Sequence, residues 1–365
     1  VNLLRRCDAA HTVVFVFPRV VALLLFALPA VGRAQRDGGL SVEVTTAPLA
    51  PAWAPLTTPL SLLAPGSGQL LRGDLRLGGA MLGTGAGLLG LALGGAFFMA
   101  GTGASDVSTA VGPPLGIIGL GGFLSLGLAD AVGTVSSSDL AIPSETAWDA
   151  WNARWRGGVN ALVAPRAGQP GAAGVSAFGS FRSGRILALV EAGNVAGTLD
   201  GWVMGGGGVK LVGYGLDASR AGLWFETSLR QEWAGRVGFD ATRWRTQVVS
   251  ILPMGLLAPR FGRVTSVLRL GVDPTWVRYR ERGVTGFELP LSGGFEVRTG
   301  LTDWLRGHVG YEHARDGLVG GSSIGFLGSF HAGVELALPG DLAWDVRVVT
   351  GTPLAFFTSL EWRRR

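Results

Sequence analysis

Residues 223–230, Leu-Trp-Phe-Glu-Thr-Ser-Leu-Arg, change character at every second position: Leu223, Phe225, Thr227 and Leu229 fall on one side of an extended chain, Glu226 and Arg230 on the other. Successive side chains of a strand point to opposite faces, so a period of two marks a strand with one apolar face. The pattern returns in residues 287–298, where Phe287, Leu289, Leu291, Phe295 and Val297 oppose Glu288, Glu296 and Arg298. It returns again in 326–338, with Phe326, Phe330, Val334 and Leu336 against Ser329, His331 and Glu335, and in 342–348, with Leu342, Trp344, Val346 and Val348 against Asp345 and Arg347. Turn-forming stretches such as Asp316-Gly317 and Pro339-Gly340-Asp341 separate the segments. From Gly157 to the last residue, the chain therefore reads as a meander of antiparallel strands.

Such a meander closes either into a soluble sandwich or into a membrane barrel. The charges on the polar face (Arg243, Arg245, Arg269, Glu226, Glu232, Glu312) have no place unpaired in a dry core, and suit a wet lumen or a solvent-facing sheet equally well. Short connections favour an up-and-down barrel. So does the placing of the tryptophans, eleven of the twelve of which follow residue 147, many near strand ends as in interfacial girdles. The spacing predicts about 12 strands, with 10 possible, since barrels of this type are even-numbered.

The last segment alternates Leu354, Phe356, Thr358, Leu360 and Trp362. It resembles the final strand of bacterial outer-membrane β-barrel proteins, whose terminal aromatic is read by the barrel-assembly machinery. The resemblance covers roughly residues 157–362. It implies that machinery and the lipid bilayer as partners. The chain departs from the pattern in that Arg363 to Arg365 follow the aromatic.

Upstream, residues 1–34 have the layout of a secretory signal: Arg5 and Arg6, a 12-residue apolar stretch from Val20 to Val31, then small residues at Gly32 and Ala34. Val1 fits translation from a non-ATG start codon, which points to a bacterium. Residues 35–68 carry Pro48, Pro51, Pro55, Pro59 and Pro65 and read as an extended linker. Residues 69–135 read as a glycine-rich hairpin of two apolar helices, since 77–105 and 107–129 contain no charge and each is long enough to cross a bilayer. The turn falls near Asp106, and Pro113-Pro114 mark the start of the second helix. Gly79, Gly83 and Gly87 share one helical face, where another backbone or a partner helix can approach closely. Pro65-Gly66-Ser67-Gly68-Gln69 resembles the PG-x-GQ start of a small bacterial two-helix membrane domain of unknown function, over residues 64–130. The tyrosine-rich stretch usual there is replaced by Leu70-Leu71-Arg72. Residues 144–156 read as a short amphipathic helix with Trp148, Trp151 and Trp155 on one face.

Composition agrees with a membrane setting. Of 365 residues 60 are glycine, only 16% are charged and 47% are hydrophobic, with a mean hydropathy of +0.36; soluble domains carry about 25% charge. A net charge of +5 suggests nucleic acid, but Arg5, Arg6, Arg19 and Arg33 in the signal and Arg363 to Arg365 supply the excess. No basic stripe with interleaved aromatics exists, so nucleic acid is not an expected partner. Cys7, the single cysteine, lies in the signal, which leaves the rest without thiol chemistry.

Few residues offer catalysis. Gly85 to Gly90 match GxGxxG, but inside an apolar helix and not between a strand and a helix, so no dinucleotide site is expected. His308 and His313 are an odd number of positions apart and face opposite sides of one strand, which argues against a shared metal. Arg306, His308 and Glu312 share a face, as do Ser329, His331 and Glu335. Ser329 and His331 are roughly 7 Å apart along the strand, too far for direct activation of a lipid-hydrolysing serine.

These readings predict an α+β membrane protein: a helical hairpin followed by an up-and-down β-barrel over 157–365, located in the bacterial outer membrane. No catalytic residue, cofactor or metal is assigned, and the role is structural, scaffolding or small-solute passage. Two alternatives stay open. One is a barrel enzyme acting on lipid with His308 or His331 as base, and the other an inner-membrane hairpin carrying a periplasmic β-domain.

Overall fold

The period-two segments are strands in the computed structural model, which describes residues 54–101 and 106–135 and, from 153 to 364, the strands and most of the turns between them. The signal at 1–34 lies outside the described residues. Two units form, one of residues Val1–Ile142 with Pro253–Thr265 and one of Pro143–Leu252 with Ser266–Arg365.

The first unit is helical: α1 (Ala54–Leu63), α2 (Ser67–Leu71), α3 (Leu75–Gly101) and α4 (Asp106–Val135). The hairpin stands as expected, but three details differ. The linker expected over 35–68 is helical at Ala54–Leu63 with Pro59 inside it. Proline removes one backbone donor, yet its φ is already helical, and α1 packs against α4, with its Ser61 and Leu62 backbone beside Gly127. The second helix begins at Asp106, so Pro113 and Pro114 lie inside it and do not start it. Gly79, Gly83 and Gly87 face open space; the close helix approach is made by Gly95 against the Gly112 carbonyl and by Gly119 against the Leu88–Ala92 backbone. Gly79, Gly83 and Gly87 fit the small-residue pattern, but the close approach is made by glycines outside it.

The PG-x-GQ segment has a structural purpose in this unit. Asp130 on α4 is fully buried. Its Oδ2 accepts from the backbone N–H of Gly66 (2.8 Å) and Gly68 (3.0 Å), and its Oδ1 from Gln69 Nε2 (2.9 Å). Gly66 sits at φ +100°, a conformation that side chains rarely adopt, and a Cβ on Gly68 would lie 2.2 Å from the Thr134 methyl. Arg72 donates to the Thr134 carbonyl. Residues 253–265 complete the unit through Arg260, paired with Asp74, and Phe261, stacked where Gly133 has no side chain.

The second unit has fourteen strand segments: β1 (Trp155–Arg166), β2 (Gln169–Ser183), β3 (Ile186–Ala196), β4 (Leu199–Gly213), β5 (Gly222–Ala234), β6 (Phe239–Pro253), β7 (Val264–Val272), β8 (Thr275–Tyr279), β9 (Val284–Glu288), β10 (Leu291–Gly300), β11 (Leu305–His313), β12 (Ser329–Leu338), β13 (Leu342–Thr350) and β14 (Ala355–Arg364). The ring runs β5-β4-β3-β2-β1-β14-β13-β12-β11-β10-β7-β6 and closes through β5–β6, giving twelve strands, the preferred expectation. β8 and β9 extend β7 and β10 beyond Pro274 and Pro290, so the strand expected over 287–298 is broken at Pro290. A proline has no N–H to give a ladder, but both proline carbonyls still accept, from Trp244 and Asp273. The amphipathic helix expected over 144–156 gives way to strand at its end, where Trp155 and Arg156 open β1 and pair with Arg364 and Arg363; the part from 144 to 152 lies outside the described residues.

The barrel is apolar outside and charged inside. Val159, Val175, Ile186, Val190, Phe225, Leu229, Trp244, Val334, Trp344, Phe356 and Leu360 are exposed, whereas Glu232, Glu296, Glu335 and Asp345 are buried. A solvent that tolerates the first set on a closed barrel is hydrocarbon, and a closed ring leaves no backbone edge unpaired there. The architecture is that of an outer-membrane β-barrel. The alternative of a soluble periplasmic β-domain does not survive this distribution of faces. The tryptophans are divided: Trp155, Trp233, Trp244, Trp276, Trp344 and Trp362 are exposed, but Trp202 and Trp224 are buried in interior clusters and take no part in a girdle.

Candidate functional site

Strand register decides what meets inside the barrel. Near the β2–β3 turn, Leu187, Trp224, Val249, Ile251 and Val267 form an apolar cluster. Toward the opposite end Leu162, Ala164, Ala172, Val195, Leu199, Trp202, Ala234 and Ala355 form another. Charges occupy the stretch between them.

The charged stretch is a chain of ion pairs. Arg156 makes a bidentate pair with Glu361 (2.9 and 2.8 Å) across the β1–β14 seam. Arg363 pairs with Glu361 at 3.0 Å and, bidentately, with Glu335 at 3.1 and 2.8 Å. It reaches Glu335 over β13, where Ala343 stands opposite both Glu361 and Ala337 and leaves room. Arg298 lies 3.9 Å from Glu335 and donates to Glu296. Across the lumen Glu232 is held by Arg230 (2.8 Å) and Arg243 (3.2 Å), and Asp273 by Arg245 (3.2 Å). The arginines that depart from the outer-membrane terminal pattern thus begin with a residue that closes the interior network. Arginine suits this work because its planar fork matches a carboxylate with two parallel bonds.

The histidines form a separate feature. His308 lies opposite Gly333, and His331 opposite Gly310, on the neighbouring strands β11 and β12. A Cβ on Gly310 would stand 2.5 Å from the His331 ring, and one on Gly333 2.7 Å from that of His308, so each glycine clears space for an imidazole. Glu296 on β10 also faces Gly310. Donor atoms of Glu296, His308 and His331 all lie within 4.8 Å of one another. Asp345 Oδ2 sits 2.8 Å from His308 Nε2 and is held from its other oxygen by Arg347 Nε at 2.9 Å. Both nitrogens of His308 and Nε2 of His331 are without a hydrogen-bond partner of good geometry, the 2.8 Å approach of Asp345 to His308 Nε2 included.

A cavity of about 250 Å³ adjoins this cluster. Its polar lining includes Asn160, Ser176, Glu191, Arg230, Glu312, Ser329, His331 and Arg347. The inward face shared by His308 and His331 carries Glu312, Ser329 and Glu335 as expected. His313 is on the opposite side of β11, with the Tyr311 hydroxyl at 3.0 Å from its Nδ1. Ser329 and His331 line one cavity, but His331 Nε2 receives no hydrogen bond from the serine. The parity test on a single strand separated His308 from His313 correctly and did not address the cross-strand pair. Register between strands is set by turns and faces and is not visible in local pattern.

No known protein family matches the chain, so the resemblance of residues 64–130 to the two-helix domain gains no support there. No curated protein matches it either. Among solved structures it is similar to the NanC porin, with TM-score 0.40 and 7% identity over 56% of this chain and 99% of that one. It is also similar to the KdgM porin in complex with disordered oligogalacturonate, with TM-score 0.39 and 7% identity over 57% and 99%. For the β domain of the Bordetella autotransporter Brka the TM-score is 0.33, with 13% identity over 57% and 97%. Likeness at this level leaves function untouched, and the twelve-strand ring stands on its own strand pairings.

Proposed function

We propose that the protein is a non-catalytic outer-membrane barrel whose lumen is closed by its own side chains, and that its role is structural: it anchors the attached helical unit to the membrane. The observation that carries this is the burial of the inward carboxylates Glu232, Glu296, Glu335 and Asp345, in contrast to inward Glu312, whose side chain is 57% exposed. Glu335 is 3% exposed and Glu296 4%, although both point into the lumen. A continuous water channel would wet them. The two apolar clusters reinforce the closure toward either end.

The apolar exterior supports the bilayer as the first partner. The outward face of β14, ending on Trp362, supports recognition by a barrel-assembly machinery, with Arg363 already turned inward and off that face. The small-solute alternative has one observation in its favour, the polar cavity, which is large enough for a few waters or a small organic ion.

Planar-bilayer recording separates the two. The closed reading expects no steady conductance from the purified protein. It expects stepwise conductance from a Glu335→Ala/Arg363→Ala/Arg298→Ala variant. Stable ohmic steps from the unaltered protein would overturn closure and favour passage. Sucrose-gradient sedimentation with the outer membrane, together with a shifted band on an unboiled gel, checks the compartment and the barrel.

A further inference from the structure

We propose that Glu296, His308 and His331 bind one divalent transition-metal ion of the zinc type inside the barrel. The inference is independent of whether the lumen conducts.

Two imidazoles and a carboxylate are a donor set suited to zinc, and three protein ligands leave a position for water. The three donor atoms lie within 4.8 Å of one another. Zinc bonds of about 2.0–2.1 Å in a tetrahedron place neighbouring donors roughly 3.3 Å apart. Binding therefore requires the imidazoles to close that difference by small χ rotations.

The nitrogens are prepared for it. Asp345 Oδ2 lies 2.8 Å from His308 Nε2, and a proton on that nitrogen leaves the Nδ1 lone pair for a metal; neither nitrogen has a hydrogen-bond partner of good geometry. A carboxylate behind a histidine is the usual support of a zinc ligand, fixing its tautomer and orientation. The His308 side chain is only 3% exposed, and leaving a buried imidazole nitrogen unpaired is unfavourable unless something coordinates it. His331 lines the 250 Å³ cavity, and its unpartnered Nε2 is buried beside Gly310.

The competing reading is a plain ion-paired cluster, since three arginines stand nearby. Each of them is engaged by a carboxylate: Arg298 by Glu296 and Glu335, Arg347 by Asp345, Arg269 by Glu296. Glu296 Oε1 faces Arg298, whereas Oε2 lies 3.8 Å from Arg269 and is the less engaged oxygen among the described residues. An ion-paired cluster accounts for Glu296 and Asp345. It gives no partner to either free imidazole nitrogen.

The test uses the full chain without an affinity tag, purified in detergent and stripped with a chelator. Zn²⁺ is titrated against a chromophoric chelator, and Co²⁺ is added as a spectroscopic substitute. The expected result is one ion per chain and the strong visible bands of four-coordinate cobalt. His308→Gln, His331→Gln and Glu296→Gln should each weaken binding more than about 100-fold, beyond the 10–100-fold typical for a supporting residue such as Asp345→Asn. His313→Gln should leave affinity unchanged. Heat-modifiable migration verifies folding of each variant. Less than one ion per folded chain, or unaltered affinity in the His308→Gln/His331→Gln double variant, overturns the proposal. If the variants do not fold, cobalt in the unaltered protein decides, and a purely octahedral spectrum overturns it.

Discussion

Asp130 in the helical unit and Glu335 in the barrel are both buried carboxylates, and their direct partners differ in kind. Asp130 receives neutral donors, the backbone N–H groups of Gly66 and Gly68 and the Gln69 amide. Glu335 receives the guanidinium of Arg363 in a bidentate pair. The helical solution needs backbone brought within 3 Å of a side chain, and hence glycine. The barrel solution needs long cations reaching over a wide interior, and hence small residues such as Ala343 beneath them. The comparison teaches that the same anion can be buried by shaping the main chain or by importing counter-charge, and that the two solutions differ in how they fail.

The largest effect is expected from Asp130→Leu, which orphans three buried donors at once. Losing one partner of a buried charged arrangement costs about 3–5 kcal/mol. Limited proteolysis should then cut between α1 and α4 while the barrel keeps its heat-modifiable shift; an intact helical unit would break the comparison. Next in size is Val190→Arg, which places a cation on the exposed apolar face and should cost about 2–4 kcal/mol near mid-bilayer. Urea titration of the folded gel band into vesicles measures it, and a neutral result would contradict the lipid-facing assignment. The smallest effect sharpens the contrast: Glu335→Leu alone takes the bidentate partner from Arg363 and leaves it Glu361, but Glu335→Leu with Arg363→Met should fall within about 1 kcal/mol of the unaltered protein, since apolar replacement of a whole buried pair is often neutral. No such compensating pair exists for Asp130, two of whose three donors are backbone.

Much of the barrel was legible because its signal is local. Leu223 to Arg230 and Leu342 to Val348 state the two faces outright, whereas a strand such as β4, with Gly205 to Gly208, does not. The hairpin was legible from its uncharged runs. What was not legible depended on distant partners. Asp130 meets Gly66 from 64 positions away, so the glycine motif was visible and its purpose was not. Gly79, Gly83 and Gly87 have the same spacing as a packed face, but which face of a helix meets its neighbour is settled by tertiary contacts; Gly95 and Gly119 took that place. Trp202 and Trp224 look like girdle residues until the parity of their strands turns them inward. His308 and His331 were each seen, but their meeting depends on the β11–β12 register, which no local pattern encodes.

The β1–β14 seam has a consequence for how the barrel is made. Arg156 and Glu361, which clasp it, are separated by 205 positions, so this contact closes a long loop of chain. Closure entropy makes such non-local pairing slow, and until it forms, β1 and β14 present open edges able to recruit another chain. The arginine clasp acts where the ring is last to join. Its loss should be felt more in the yield of assembly than in the endurance of the finished barrel.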